Sequence, residues 1–469
     1  MRSGIIARLV GFHLGKPIAV LIGIAAVAGV ASLLREAPKR ADLTLWTFAE
    51  SHARSFRGTP VGPDGKTLAQ LFEDRTGKSV DVKLINNAAL NVRLNTLFDR
   101  AESDDAMPDL AEIEISFVGA YFRPPSELVG FMPLNGFLER SPRAKELLPN
   151  RLKTWSKDGQ IFGIPHDLHP VSISYRDDLF REAGIDLSAA TTWPDFHAKL
   201  VAFTKYWAER GEKDRYAIEL SKSDSMLVVV MLMQQGVSLI SSDGTSNLTD
   251  PRVARTVAFY AQMVAGEKAV AMNANPGPNA WASDIDSGRL CAIVTPDWRA
   301  GNMRKFATGS SGKMRMMPLP RFAPTDAPTA SWGGTMIGIP RRARDPEMSW
   351  KLIEHLYLSP EGAEARKDGT LILPPNVGAW ADPIWHAADP YFGGQKVGEL
   401  YIDLAKQMPP IEVHPYRVVA QQQLTFVVSR AVREVEAGRI DGLEKRIAGW
   451  LKEEDVDLRR RIAFGTFTE

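Results

Sequence analysis

Between Gly163 and Phe180 the chain reads GIPHDLHPVSISYRDDLF, with His166, Asp167 and His169 held between two prolines. Two imidazoles and a carboxylate suggest a metal. However, HDLH is not H-E-x-x-H, and the prolines disfavour a regular helix. Histidines three apart on an extended segment point to opposite faces. No metal is assigned, which leaves a catalytic segment or a hinge carrying ligand-binding groups. Glu112 and Glu114 lie two apart on a strand-like run, hence on one face. Such a pair could serve glycoside hydrolysis, accept hydrogen bonds from sugar hydroxyls, or simply form a polar strand end. No activated nucleophile stands out. There is no G-x-S-x-G, phosphate loop or dinucleotide motif, and Cys291 sits in the apolar run RLCAIVTP as a small core residue. It is the only cysteine, so neither an intrachain disulfide nor a thiolate zinc cluster can form. No cofactor is called for.

Aromatic residues recur near the same strand ends. Trp46 and Phe48 close LTLWTF, Trp298 follows Asp297 after CAIVTP, and Trp332 precedes Gly333-Gly334 and TMIGIP. In open α/β sheets ligands bind outside the carboxyl ends of the strands. Flat rings beside carboxylates suit a polyhydroxylated ligand, whose C–H faces lie on the rings while its hydroxyls meet the acids.

The elements that must position these groups alternate. ADLTLWTF, SVDVKLI and PDLAEIEIS read as strands. TLAQLFEDRTG and ALNVRLNTLFDRAE between them read as helices, the first stopping at Gly77. That order is the pattern of a mostly parallel sheet covered by helices. Thr192, with Asp195 as a capping-box partner, and Asp250, Asp345 and Ser359, each before a proline, read as helix caps. SMLVVVMLM (225–233) reads as a buried helix too short to span a bilayer. The stretch from about 370 to 420 reads as loop and short elements, followed by two amphipathic helices.

At 469 residues the chain has room for more than one domain, and its formal net charge of +1 gives no general field for nucleic acid. Residues 1–40 stand apart. Arg2, Arg8 and Lys16 precede PIAVLIGIAAVAGVASLL, which carries no charge from Pro17 to Leu34, and Ala26-Val27-Ala28 offers an A-x-A-like cleavage site. The run is longer than most signal-peptide cores and reaches the minimum for a bilayer span. A cleaved signal peptide and an uncleaved N-terminal membrane anchor both remain open, and either sends the rest of the chain out of the cytoplasm.

Taken in order, several segments resemble the extracellular solute-binding proteins of family 1, the carbohydrate-binding proteins of ABC importers that include maltose-binding protein. LTLWTF with FEDRTGKSVDVKL resembles the first strand and the F-x-x-x-T-G-x-x-V-x-V segment. MPDLAEIE, FMPLNGFLE, DGQIFGIPHDLHPVSISYRDDLFREAGID, TTWPDF, DSGRLCAIVTPDW and WGGTMIGIP follow in family order, from about residue 41 to about 450. The resemblance implies a two-lobe α/β periplasmic-binding-protein fold (type II), with the ligand in the cleft. The lobes would be 42–166 plus 328–372 and 167–327 plus 373–469. GIPHDLHPVSISY would be the first crossover, a hinge strand facing the cleft.

Carried over by position, the expected ligand-binding residues are Phe48, Glu50, Glu114, Ser116, His169 with its neighbour Asp167, Ser225, Asp297, Trp298, Trp332 and Tyr416, and the strand-end Trp46 and the paired Glu112 join them from the residue pattern. The implied partners are a small carbohydrate and the permease's transmembrane subunits, with the chain itself a monomer that performs no covalent chemistry. The chain departs from the family in an extra loop, SHARSFRGTPVGPDG, in Tyr175-Arg176 where Tyr-Asn is usual, and in having no lipid-modifiable cysteine near residue 34. The rivals are an extracytoplasmic glycoside hydrolase using Glu112, Glu114 or Asp297, a sensor of the same fold, and a binder of a peptide, polyamine or phosphodiester.

Overall fold

A computed structural model of the protein describes residues 40–62, 64–99, 106–273, 277–366 and 372–466. The segment read as a signal or anchor, including Ala26-Val27-Ala28, lies outside them. Among the described residues no helix is long and apolar enough to cross a membrane.

The first sheet forms where the alternating runs were read. It contains β1 (Leu43–Thr47), β2 (Val80–Leu84), β3 (Leu110–Glu114), β4 (Ile164–Pro165) and, from far along the chain, β8 (Thr335–Gly338). Their order is β2-β1-β3-β8-β4. β1 runs parallel to β2 and β3, whereas β8 is antiparallel to β3 and β4 and sets Thr335 opposite Glu114. The second sheet, β6-β5-β7, is wholly antiparallel and holds β5 (Val171–Arg176), β6 (Ala292–Pro296) and β7 (Met314–Pro318). The mostly parallel sheet expected from the sequence is thus parallel only in its first three strands. β8 reverses direction because it returns from the second sheet rather than through a covering helix.

Apart from the edge strand β2, where only Val82 is buried, the strands are buried on most of their residues, and successive residues feed different cores. Leu43 and Leu45 pack with Phe56, Leu68 and Phe72, while Trp46 packs with Leu90, Ile113 and Trp155. On β6, Ala292 and Val294 join a core with Phe180, Phe196 and Val228, and Ile293 joins Trp281 and Tyr401.

Helices α1 (Glu50–Arg57), α2 (Leu68–Thr76), α3 (Asn87–Phe98) and α4 (Ile115–Tyr121) serve the first sheet. α2 begins at a reciprocal capping box of Thr67 and Gln70 and ends on Gly77 at φ 69°, a left-handed conformation that glycine adopts without a Cβ clash. The capping side chains at Thr192, Asp250, Asp345 and Ser359 accept backbone N–H groups of the following helices. At Thr192 the bond comes from the Asp195 amide. α5 (Met226–Gln234) is buried from Leu227 onward, as its unbroken apolar run requires. α6 (Asp297–Phe306) follows β6 directly, and α7 (Arg417–Glu436) follows the loop-rich stretch.

The expected extra loop after β1 is not irregular. It forms α1 and a small hairpin pairing Pro60 with Thr67. His52, Ala53 and Phe56 recur at helical spacing and give α1 a buried face.

Candidate ligand cleft

Two extended segments, 166–170 and 331–335, run antiparallel between the sheets. His166 N–H donates to the Thr335 carbonyl, Trp332 N–H to the His169 carbonyl, and Pro170 bridges Ser331. The residues first suspected of metal or acid-base chemistry fasten this junction. The Asp167 carboxylate accepts from the Thr335 amide at 3.1 Å and from Arg151 Nη2 at 3.3 Å. Its other oxygen lies 3.1 Å from His169 Nε2 and 3.3 Å from His166 Nδ1. His169 Nδ1 sits 2.5 Å from Asp297, which also accepts the amides of Trp298 and Leu373. Crossover, β6 end and the start of the loop-rich stretch therefore meet on one buried ion cluster.

His169 holds φ at 54°, in the left-handed region. Burial disfavours its charge, but the carboxylates of Asp167 and Asp297 on its two ring nitrogens outweigh burial and hold its pKa up at about 10. Burial also opposes ionisation of Asp167, yet its histidine neighbours keep it well below the usual carboxylate range. Gly333 and Gly334 are required opposite this cluster. A Cβ on Gly334 would lie 2.2 Å from Arg151 Nη2, and one on Gly333 would lie 3.1 Å from His169 Cδ2.

A second buried group lies beside it. Glu112 accepts from Thr47, His52 and Tyr357. Burial pushes its pKa up, but His52 and the remaining neighbours outweigh burial and lower it. The His52 and His166 rings lie 3.7 Å apart. His52, His166 and Asp167 are close enough for one ion to touch all three. His52 Nδ1 already bonds Glu112 and His166 Nδ1 lies against Asp167, while His166 Nε2 is buried without a partner among the described residues; with Arg151 and Arg366 buried close by, the arrangement reads as a structural polar core.

In front of these clusters opens a cavity of about 810 Å³ lined from both sheets. The first sheet contributes Phe48 and Glu50 after β1, and Glu114 and Ser116 after β3. Trp298 stands after β6, and Trp332 lies on the returning crossover. The two rings meet edge to face with centroids 6.2 Å apart, and Trp298 Nε1 donates to the Trp332 carbonyl. Glu114 Oε2 accepts both the amide and the hydroxyl of Ser116. A second cavity of about 750 Å³ shares Met226, Trp298, Asn302, Phe306 and Trp332 with the first, so the cleft is elongated.

Seven expected residues line the main cavity: Phe48, Glu50, Glu114, Ser116, His169, Trp298 and Trp332. His169 does so with its ring edge, since both nitrogens are engaged by carboxylates. Six others do not line it. Trp46 lies in the core with Ile113, within β1 rather than past its end where Phe48 and Glu50 reach the cleft. Glu112, Asp167 and Asp297 are fully buried behind the wall with their oxygens occupied. Ser225 is buried against Thr425, and Tyr416 stands beside His414 rather than in the cavity.

Sequence reasoning passed over Arg54, Met226, Val229, Asn302, Arg417 and Gln421, which also line it. The signal was helical spacing. Arg54 follows Glu50, Asn302 follows Trp298, and Gln421 follows Arg417 by four residues, one turn on the same face.

No family model matches the chain. An arabinooligosaccharide-binding protein of Halalkalibacterium halodurans is 22% identical over 399 residues, 84% of this chain and 85% of the relative. A lactose-binding protein of Rhizobium radiobacter is 21% identical over 356 residues, 73% of this chain and 78% of that protein. Among solved structures, the sugar-binding protein MalE from Xanthomonas citri superposes with a TM-score of 0.68 at 20% identity, covering 90% of this chain and 98% of that one. An ABC-transporter-associated binding protein from B. animalis subsp. lactis, in complex with β-1,6-galactobiose, gives 0.66 at 18% identity, covering 89% and 99%. The resemblance to the solute-binding proteins and the α/β periplasmic-binding-protein fold expected from it are borne out.

Proposed function

We propose that this chain is the extracytoplasmic carbohydrate-binding component of an ABC importer, taking a sugar or oligosaccharide in the cleft and handing it to the permease's transmembrane subunits. The observation that carries this reading is the cavity wall. Trp298, Trp332 and Phe48 offer flat apolar faces, while Glu50, Glu114, Ser116, Asn302 and Gln421 offer hydrogen-bonding groups among them. That mixture suits a ring with C–H faces and a hydroxyl rim. The elongated cleft and relatives named for arabinooligosaccharide and lactose support a ligand of more than one unit.

The lobes are 42–166 plus 328–372 and 167–327 plus 373–469, and the segments about 166–170 and 331–335 are the hinge. A ligand touching both walls favours the closed form and so shifts a pre-existing equilibrium. The N-terminal segment delivers the chain outside the cytoplasm, either by cleavage or as a tether. Of the acids a glycoside hydrolase would use, Glu112 and Asp297 are buried, hydrogen-bonded and outside the cavity, and Glu114 alone of the three lines it, bonded to Ser116.

Thermal unfolding of the full chain against mono- and oligosaccharides tests the reading. A true ligand at a hundredfold excess over its dissociation constant stabilises the native state by about 2.7 kcal/mol and raises the midpoint without releasing products. A panel in which no sugar moves the midpoint overturns the carbohydrate assignment, and released products overturn the binding role.

A further inference from the structure

Neutral sugar recognition leaves one feature of the cavity unexplained. Arg417, the first residue of α7, lines the wall with its Nη1 buried and without a hydrogen-bond partner among the described residues. A guanidinium stays charged in any ordinary environment, and a buried charge without a partner is costly. Glu114 is the acid whose field reaches it, but no ion pair joins the two, and one Glu114 oxygen is taken by Ser116. Burial lowers the Arg417 pKa, Glu114 opposes that, and the nearby Arg151 adds to it.

The charges around it do not balance. Glu50 and Glu114 are the acids of the described wall, against Arg54, Arg304, Lys305 and Arg417. Arg304 is neutralised by Asp389 at 2.6 Å. Lys305 lies over the Phe306 ring, and neither it nor Arg54 makes an ion pair among the described residues. Arg54, Lys305 and Arg417, none of them in an ion pair among the described residues, thus face Glu50 and Glu114, an excess of one positive charge on this wall.

We propose that the cleft takes an anionic carbohydrate, with an oxyanion substituent seated on Arg417. A uronate carboxylate and a sulfate ester share the required chemistry, two oxygens matching the planar fork of a guanidinium. The tryptophans cover the ring faces while Arg54 and Lys305 supply the surrounding positive field. The inference rests on the carbohydrate-binding reading and names its substrate class.

The test is calorimetric titration of the full chain with matched neutral, uronate and sulfated oligosaccharides on gluco-, galacto- and manno- backbones, at low and high salt. Uronate or sulfated members are expected to bind at least tenfold tighter than their neutral counterparts. That preference should shrink at high salt, and the two anionic arms tell carboxylate from sulfate. Arg417→Met should abolish it. If that variant fails to fold, Arg54→Gln should still weaken it. Equal or tighter binding of the neutral members would overturn the inference and leave the sugar reading standing. Binding of no member would overturn both.

Discussion

Replacing His169 by Asn removes the cation between Asp167 and Asp297 while preserving the backbone, because Asn tolerates the left-handed conformation at φ 54°. In the native chain burial works against the imidazolium, and the two carboxylates overcome it to hold the pKa at about 10 against the ordinary 6.5. A folded-state pKa above the unfolded one means the stabilisation is full below pH 6.5 and is lost as pH rises through about 10. The pKa difference alone corresponds to on the order of 5 kcal/mol. Breaking a buried ion pair by removing one partner costs about 3–5 kcal/mol. Arg151, 3.3 Å from Asp167, still compensates that carboxylate, so the lower end is expected.

Urea unfolding of the parent chain and His169→Asn, followed at about pH 7 and about pH 10.5, should show a gap of ~3 kcal/mol at the lower pH that falls below ~1 kcal/mol at the higher. Taking the difference cancels groups that titrate alike in both proteins. A gap of equal size at both pH values would refute an electrostatic role for His169. A variant as stable as its parent at neutral pH would refute the buried ion cluster altogether.

Gly334→Ala forces a Cβ to within 2.2 Å of Arg151 Nη2 at a φ of 150°, and should cost about 2 kcal/mol or more in urea unfolding. An unchanged midpoint would mean the crossover yields freely there. Trp298→Ala removes a ring from the cavity wall and should weaken the sugar found by the unfolding screen by about 30- to 100-fold, read by calorimetry. An unaltered dissociation constant would remove Trp298 from ligand contact. Burial pushes the Cys291 thiol up to about 12, so a thiol reagent should label it only after unfolding. Rapid labelling of the native chain would contradict its core position.

Local pattern settled much of this molecule. Period-two alternation in LTLWT, VDVKL and LAEIE set three strands, and capping residues such as Thr192 and Asp250 set helix starts, because both depend on neighbours within a few residues. The same alternation implied that Glu112 and Glu114 share a face. It could not say that one ends beneath His52 and Tyr357 while the other reaches the cavity, since His52 and Tyr357 come from distant parts of the chain. α1 was missed because SHARSFRGTPVGPDG was read as a loop inserted into the family pattern, although its own buried face was present in the spacing of His52, Ala53 and Phe56. Only the tertiary structure decided that HDLH is a fastening between sheets. Its acids and imidazoles are matched by Arg151, Asp297 and Thr335, which lie from 16 to 168 residues away, and no local rule brings such groups together. Residue type and spacing carry the information for bonds made along the chain. Which charges neutralise one another, and which, like Arg417, are left facing the cavity, is decided where separate segments pack and water is excluded.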